Sequence, residues 1–304
     1  MYLIIGASGF IGRHLYNHCK RDGIDVLGTY YTHPYNSELV KFDIRSDNLG
    51  ELCNRYLNGR LPEVVIICSA NGNIDSCKKN EVESNLLNVY GTQRILHQAN
   101  VMGAKCVYLS SEAVFDGKKG MYAEGDAVNP ITVYGMQKLQ VEQYMIQNIK
   151  DYIVFRISRA VANQFGEKDI FDEFYSKMIR KEPIICLKNQ SFCLTDIDDI
   201  TFAILKALSQ KLVGLYHLSS GNNISRYMLA RLFSERMQGG YEKIAEQEYE
   251  SMSFVDNRGI YGGLRGDRLA QILDMRYKSV TDILDSYYQS GRSHWDADRE
   301  TPAK

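Results

Sequence analysis

The chain has 304 residues, 44% of them hydrophobic, and its 36 Lys and Arg against 37 Asp and Glu leave a net charge of −1. That length holds one large domain or two unequal ones, and the charge balance excludes a broad field for nucleic acid or an anionic membrane surface. No apolar stretch is long enough to span a bilayer. The seven cysteines are scattered, with no C-x-x-C pair and no His/Cys cluster, which argues against a disulfide framework or a metal site and fits a reducing, cytoplasmic setting.

In chain order, the apolar run from Tyr2 to Ile5 reads as a buried parallel strand. It is broken at Gly6 and has no basic leader, so a strand is expected there rather than a signal peptide. Gly6, Gly9 and Gly12 follow at the spacing G-x-x-G-x-x-G, with Ser8 inside the turn, and Phe10, Ile11 and Arg13 open a helical segment. Strand, glycine turn and helix start make a phosphate cradle. Gly6 permits the tight turn, Gly9 lets a pyrophosphate approach the backbone, and Gly12 lets the helix pack against the strand. The helix N-terminus offers free N–H groups to the anion. Alone, the motif is equally compatible with a glycine loop that binds nothing.

Strands are expected at 25–30, 39–42, 64–68, 106–110 and 152–156, with long helices at 82–101 and 133–149. This alternation implies an α/β fold: a Rossmann-type, doubly wound parallel sheet with helices on both faces. The regularity weakens after about residue 165. Short apolar runs (184–186, 215–218) mix there with helices near 197–208 and 227–237. A division into a dinucleotide-binding domain, 1–165, and a smaller C-terminal substrate lobe, 166–304, is therefore expected, with some segments returning to the sheet. From about 292 the tail is polar except for Trp295 and is expected to fray.

Ligands of such sheets bind beyond the carboxyl ends of the strands. The second strand ends at Tyr30 with no acidic residue to hold a ribose 2′-hydroxyl, and Arg13 and His33 are candidates to meet a 2′-phosphate. NADP(H) is the preferred cofactor on that ground, with NAD(H) a further candidate; Arg13 equally fits a solvated helix position. Asp43 and Ile44, just past the third strand, are placed to meet the adenine, and Asp43 alternatively caps the next helix. Ser69, Ala70 and Asn71 end the fourth strand with residues small enough for the chain to pass under a cofactor, or form an ordinary turn.

The fifth strand ends in Ser110-Ser111-Glu112, and Tyr134 and Lys138 stand four apart at a helix start, on one face. A free phenol, with a pKa of about 10, exchanges protons poorly at neutral pH. A nearby ammonium favours its phenolate by roughly one to three units, and Ser111 can bond the same carbonyl oxygen. Y-x-x-x-K alone fits a solvated helix face, and it is the conjunction with the cradle that carries weight.

At these residues the sequence resembles the extended short-chain dehydrogenase/reductases, within them the dTDP-4-dehydrorhamnose reductase branch, from Tyr2 to about Leu273. The branch's Ser-Thr-Asp-Tyr-Val-Phe-Asp-Gly segment is similar to Ser110–Gly117, its Pro-x-x-x-Tyr-Gly-x-x-Lys segment to Pro130–Lys138, and its Arg-Thr-Ser-Trp segment to Arg156–Arg159. The resemblance implies a catalytic triad of Ser111, Tyr134 and Lys138, with Tyr134 and Lys138 also at the nicotinamide, and reduction of a 4-keto nucleotide-linked deoxysugar. It places Asn88 near the active site, and Glu112, Asn71, Arg159 and Arg265 near substrate. Two departures set this chain apart: Glu112-Ala113 stands where the branch has Asp-Tyr, and Arg159 where it has Trp. They put dehydrorhamnose itself in doubt. The same scaffold also serves an NADP-binding regulatory subunit, the partner of methionine adenosyltransferase, and nucleotide-sugar epimerases and dehydratases. A homodimer is a family-based expectation.

Overall fold

Four-residue apolar runs at 2–5 and 64–67 lie side by side in the structure, a computed structural model that describes residues 1–237 and 240–300. The first half alternates as its sequence pattern requires. It runs β1 (Tyr2–Ile5), α1 (Phe10–Arg21), β2 (Val26–Tyr30), β3 (Val40–Lys41), α2 (Leu49–Leu57), β4 (Val64–Ile67), α3 (Ile74–Lys79), α4 (Glu81–Asn85), a π-helical segment at Leu86–Gly91, α5 (Thr92–Val101), β5 (Lys105–Ser111), α6 (Val133–Asn148) and β6 (Tyr152–Ile157). The helix expected at 82–101 is thus present but passes through a wide turn in its middle.

The remainder comprises β7 (Arg159–Val161), α7 (Ile170–Ile179), β8 (Ile184–Leu187), β9 (Ser191–Asp196), α8 (Ile197–Ser209), β10 (Gly214–Leu218), β11 (Asn223–Ser225), α9 (Arg226–Arg236), β12 (Ile244–Gln247), α10 (Asp267–Leu273) and α11 (Val280–Glu300). The stretch expected to fray from about 292 begins inside α11, whose backbone is helical to Glu300, and residues 301–304 lie outside the described residues.

The main sheet is seven-stranded and parallel, in the order β10-β6-β5-β4-β1-β2-β3. Strand alternation divides its side chains between two cores. Leu3, Ile5, Val65 and Ile67 face one, with Leu49, Ile95 and Val141 from the covering helices; Ile4, Ile66, Val107 and Phe155 face the other, with Leu15, Ile200 and Leu269. Both faces are covered, which is why these strands read as continuous apolar runs.

β10 comes from beyond residue 165 yet pairs with β6, Tyr216 opposite Phe155, so the sheet draws on both halves of the chain. A third core gathers Phe171, Phe174, Leu194, Phe233 and Tyr287 in the smaller lobe, whose strands form a three-stranded sheet, β11-β9-β7, and a two-stranded one, β12-β8. In the main sheet the strand order reverses direction between β1 and β4, and that switch point opens the crevice in which the candidate site lies.

Candidate active site

The glycine turn is shaped as its spacing predicts. Gly6 has φ +86°, and a Cβ there would fall 2.7 Å from the Ser69 backbone nitrogen, at the end of β4. A Cβ on Gly12 would lie 2.3 Å from the Gly6 carbonyl oxygen. Both positions therefore need glycine, one for conformation and one for close packing. Gly9 caps α1 without a side-chain acceptor, which leaves the first N–H groups of the helix, at Phe10 and Ile11, pointing out of its end. Beside the turn, the Ser69 hydroxyl is buried with no protein partner. A buried hydroxyl without a protein partner is free to bond a ligand, and together with the open helix end it fits the phosphates of a dinucleotide.

The cation expected to await a 2′-phosphate is otherwise engaged. Arg13 bonds the carboxylate of Glu167, whose Oε2 also lies 3.5 Å from His14 Nε2. Beyond the end of β2 and Tyr30 a further cation, Arg45, stands beside Tyr31, itself paired with carboxylates and with no motif around it in the sequence. Its guanidinium lies 4.8 Å from the centre of the Tyr31 ring, donates to the Tyr31 hydroxyl at 2.6 Å and to Asp43 at 2.8 Å, and also pairs with Glu83. Arg45 holds the Asp43 carboxyl below the usual range. Ile44 is buried in the sheet's core against the π-helical segment, with its carbonyl taken by Arg94 at 2.6 Å.

Past β4, Ala70 is exposed, and the peptide of Asn71 is clamped from both sides by buried Asn88: Oδ1 accepts from Asn71 N at 2.8 Å and Nδ2 donates to Asn71 O at 3.0 Å. Asn88 Nδ2 also reaches Gln137 Oε1 on α6 at 2.7 Å. Asn88 sits in the π-helical segment, a wide turn of a kind that often marks a functional site. It acts on the loop, while the neighbouring Gly72 lines the cleft.

Ser111, Tyr134 and Lys138 come together. The start of α6 approaches the turn after β5 so closely that a Cβ on Gly135 would lie 2.0 Å from the Ala113 carbonyl oxygen. That glycine, directly after Tyr134, is the packing signal the sequence carried and the spacing argument passed over. Thr132 caps the helix by accepting from Gly135 N at 2.9 Å, and Asp256 accepts from Val133 N at 2.8 Å. Tyr134 hydrogen-bonds Ser111, and Lys138 Nζ lies 5.6 Å from the centre of the Tyr134 ring.

Electrostatically the pair departs from expectation. Burial pushes the Tyr134 phenol up to about 12, and the Ser111 hydrogen bond offsets only part of this. Burial also lowers Lys138 to about 8, against the opposing pull of Glu142. The expected acidification of the phenol by the ammonium is absent because loss of hydration dominates both groups. Lys138 also gives up its proton before the phenol ionises.

Behind α6, Glu142 and Arg156 form a buried ion pair, 2.7 Å from Nη2 to Oε2, and Ser110 donates to the same carboxylate at 2.5 Å.

In front of the pair opens a cleft of about 660 Å³, lined by Ser111, Glu112, Tyr134 and Arg159 among others. Glu112 Oε2 accepts from Ser158 Oγ at 2.8 Å and from Gly263 N at 2.7 Å, tying the end of β5 to the segment before β7 and to the loop ahead of α10; burial raises its carboxyl. Arg159 is exposed and lines the cleft. Arg265 does not line the cleft: it is exposed and pairs with Asp267 at 3.2 Å. Among the described residues no cluster suited to a metal ion occurs, and no helix is long and apolar enough to cross a membrane.

A doubly wound parallel sheet, a glycine cradle after β1, a serine ending β5 and a Tyr/Lys pair on the next helix define an extended short-chain dehydrogenase/reductase. The chain belongs to the RmlD substrate binding domain family, which matches residues 1–290. Similar sequences include methionine adenosyltransferase 2 subunit beta of Xenopus laevis, 26% identical over 239 residues, which are 75% of this chain and 69% of that one. A dTDP-4-dehydrorhamnose reductase of Sinorhizobium fredii is 28% identical over 176 residues, 54% of this chain and 57% of that one. Among solved structures, the Bacillus anthracis dTDP-4-dehydrorhamnose reductase in complex with NADP superposes with a TM-score of 0.81 at 21% identity, covering 95% of this chain and 98% of that one.

Proposed function

We propose that the protein is an NADP(H)-dependent reductase of a nucleotide-linked 4-keto sugar. The observation that carries this reading is the convergence of Ser111, Tyr134 and Lys138 at the rim of a cleft large enough for a sugar nucleotide, beside a cradle with an unpartnered buried hydroxyl at Ser69. Membership of the family and the NADP carried by the Bacillus anthracis reductase support it.

The turn at Gly6, Gly9 and Gly12 would hold the pyrophosphate, with Ser8, Ser69 and Ala70 beneath it. Asp43 and Tyr30 would border the adenosine, while the Ile44 side chain, buried in the core, would support them from behind. Bound there, the reduced nicotinamide supplies a hydride to the carbonyl carbon. Tyr134 donates its proton to the oxygen that becomes the alcohol, Ser111 holds that oxygen, and Lys138 binds the nicotinamide ribose and keeps positive charge near the phenol. A phenol at about 12 holds its proton at neutral pH, and gives it up to the alkoxide left by hydride addition because that alkoxide is the stronger base. Loss of NADPH absorbance with a panel of nucleotide-linked 4-keto sugars tests the reading. Stereospecific turnover abolished by Tyr134→Phe is expected; cofactor that binds but is oxidised with none of them overturns it.

A second reading is favoured by the similarity to methionine adenosyltransferase 2 subunit beta: an NADP-binding regulatory subunit. Co-purification with a partner enzyme whose behaviour is the same with the Tyr134→Phe chain would select it.

A further inference from the structure

Four cationic side chains line the cleft, and among the described residues three have carboxylate partners. Lys177 and Arg226 share Glu173, at 3.0 and 2.8 Å, and Arg258 holds Asp75 at 2.7 Å. Arg159 is the exception: its guanidinium makes no ion pair and no hydrogen bond there, and lies 5.2 Å from the centre of the buried Phe192 ring. Its five donors are thus displayed on a fixed aromatic platform, unspent.

Its place in the chain says which part of a ligand it meets. Ser158, the residue before it, donates to Glu112, and Glu112 follows Ser111 directly. Arg159 therefore stands beside the reacting end of the cleft. Glu112 attracts it but is too far away for a salt bridge. Glu112 makes no ion pair with it, spends Oε2 on Ser158 and Gly263, and is biased toward its protonated form by burial. An exposed guanidinium with no salt bridge, in a cleft whose other cations are paired, is left free to pair with an anionic ligand.

We infer that the sugar carries a carboxylate, gripped by Arg159 through two parallel N–H groups, while Glu112 receives a neighbouring hydroxyl. This rests on the reading that the cleft takes a nucleotide-linked sugar. A planar carboxylate matches the guanidinium fork, as a neutral deoxysugar does not. The diphosphate of the nucleotide is the other source of an oxyanion, and the experiment separates the two.

The NADPH-loaded protein is titrated by calorimetry with UDP-glucuronic acid and with UDP-glucose, which share base and diphosphate and differ only in the carboxylate. The acidic ligand is expected to bind roughly 30-fold or more tightly. Arg159→Gln removes most of that preference and leaves UDP-glucose nearly unchanged, and Arg159→Lys restores part of it. NADPH affinity, unaltered in both variants, shows that they fold. Equal affinity for the two ligands overturns the inference. So does equal weakening of both by Arg159→Gln, which would place the guanidinium on the diphosphate. Binding of neither sugar nucleotide to protein that holds NADPH overturns the nucleotide-sugar reading itself, and the inference with it.

Discussion

Lys138 donates through Nζ to the main-chain carbonyl of Leu109 at 2.7 Å, so the ammonium of α6 is anchored near the carboxyl end of β5 rather than to the phenol it neighbours. The same nitrogen lies 4.6 Å from the centre of the Tyr108 ring. Both contacts favour the charged form, yet burial still lowers its pKa to about 8. If the charge is needed for turnover, reduction should fall away as pH rises through about 8, and a pH–rate profile checks this. For stability the sign is opposite. A lysine whose folded pKa lies below its unfolded value binds fewer protons when folded, so stability should rise with pH between about 8 and about 10.5. Lys138→Met should therefore lower turnover at least a hundredfold, on the order expected for lost acid–base assistance. Its melting temperature at pH 7 should be no lower than the parent's.

Gly12→Ala places a methyl 2.3 Å from the Gly6 carbonyl oxygen, a contact with backbone that no rotamer relieves. The turn must open or the helix must shift. The expected outcome is a loss of about 1–3 kcal/mol in stability, typical of overpacking, together with loss of NADPH binding. Thermal unfolding and cofactor fluorescence report the two effects separately.

Glu142 and Arg156 are buried at 0% and 4% exposure, and among the described residues each is the other's salt-bridge partner. Arg156→Met should destabilise by about 3–5 kcal/mol because it strands a buried carboxylate, and Arg156→Met with Glu142→Leu should cost much less than the sum of the two single changes. Denaturant midpoints of the two single variants and the double variant measure the coupling.

Arg45 stacks on Tyr31 at the end of β2, where a dinucleotide's adenosine ribose is bound in sheets of this type. Arg45→Ala should weaken NADPH about tenfold, the order of one charge-assisted contact, while NADH affinity stays within about twofold. Equal loss for both cofactors would mean that Arg45 serves only to order Asp43.

Much of the site is written locally. Glycine spacing, strand ends, and Tyr134 and Lys138 one helical turn apart depend only on short stretches of chain, so the cradle and the pairing were legible. Arg45 was not, because nothing at its own position marks it; it matters only through Tyr31, which meets it from the loop after β2. Asn88 was legible only through the family resemblance, and its clamp on Asn71 depends on a wide turn that the apolar period of 82–101 hides.

The sequence by itself determined the parallel sheet, the glycine turn and the order of the elements, because backbone conformation and apolar period are local properties. Only the tertiary structure decided the charge states and the cleft. Burial from distant segments pushes Tyr134 up and Lys138 down, Glu167 takes Arg13 out of reach, and Arg159 is left without a salt bridge; desolvation and pairing depend on residues that meet only once the chain has folded.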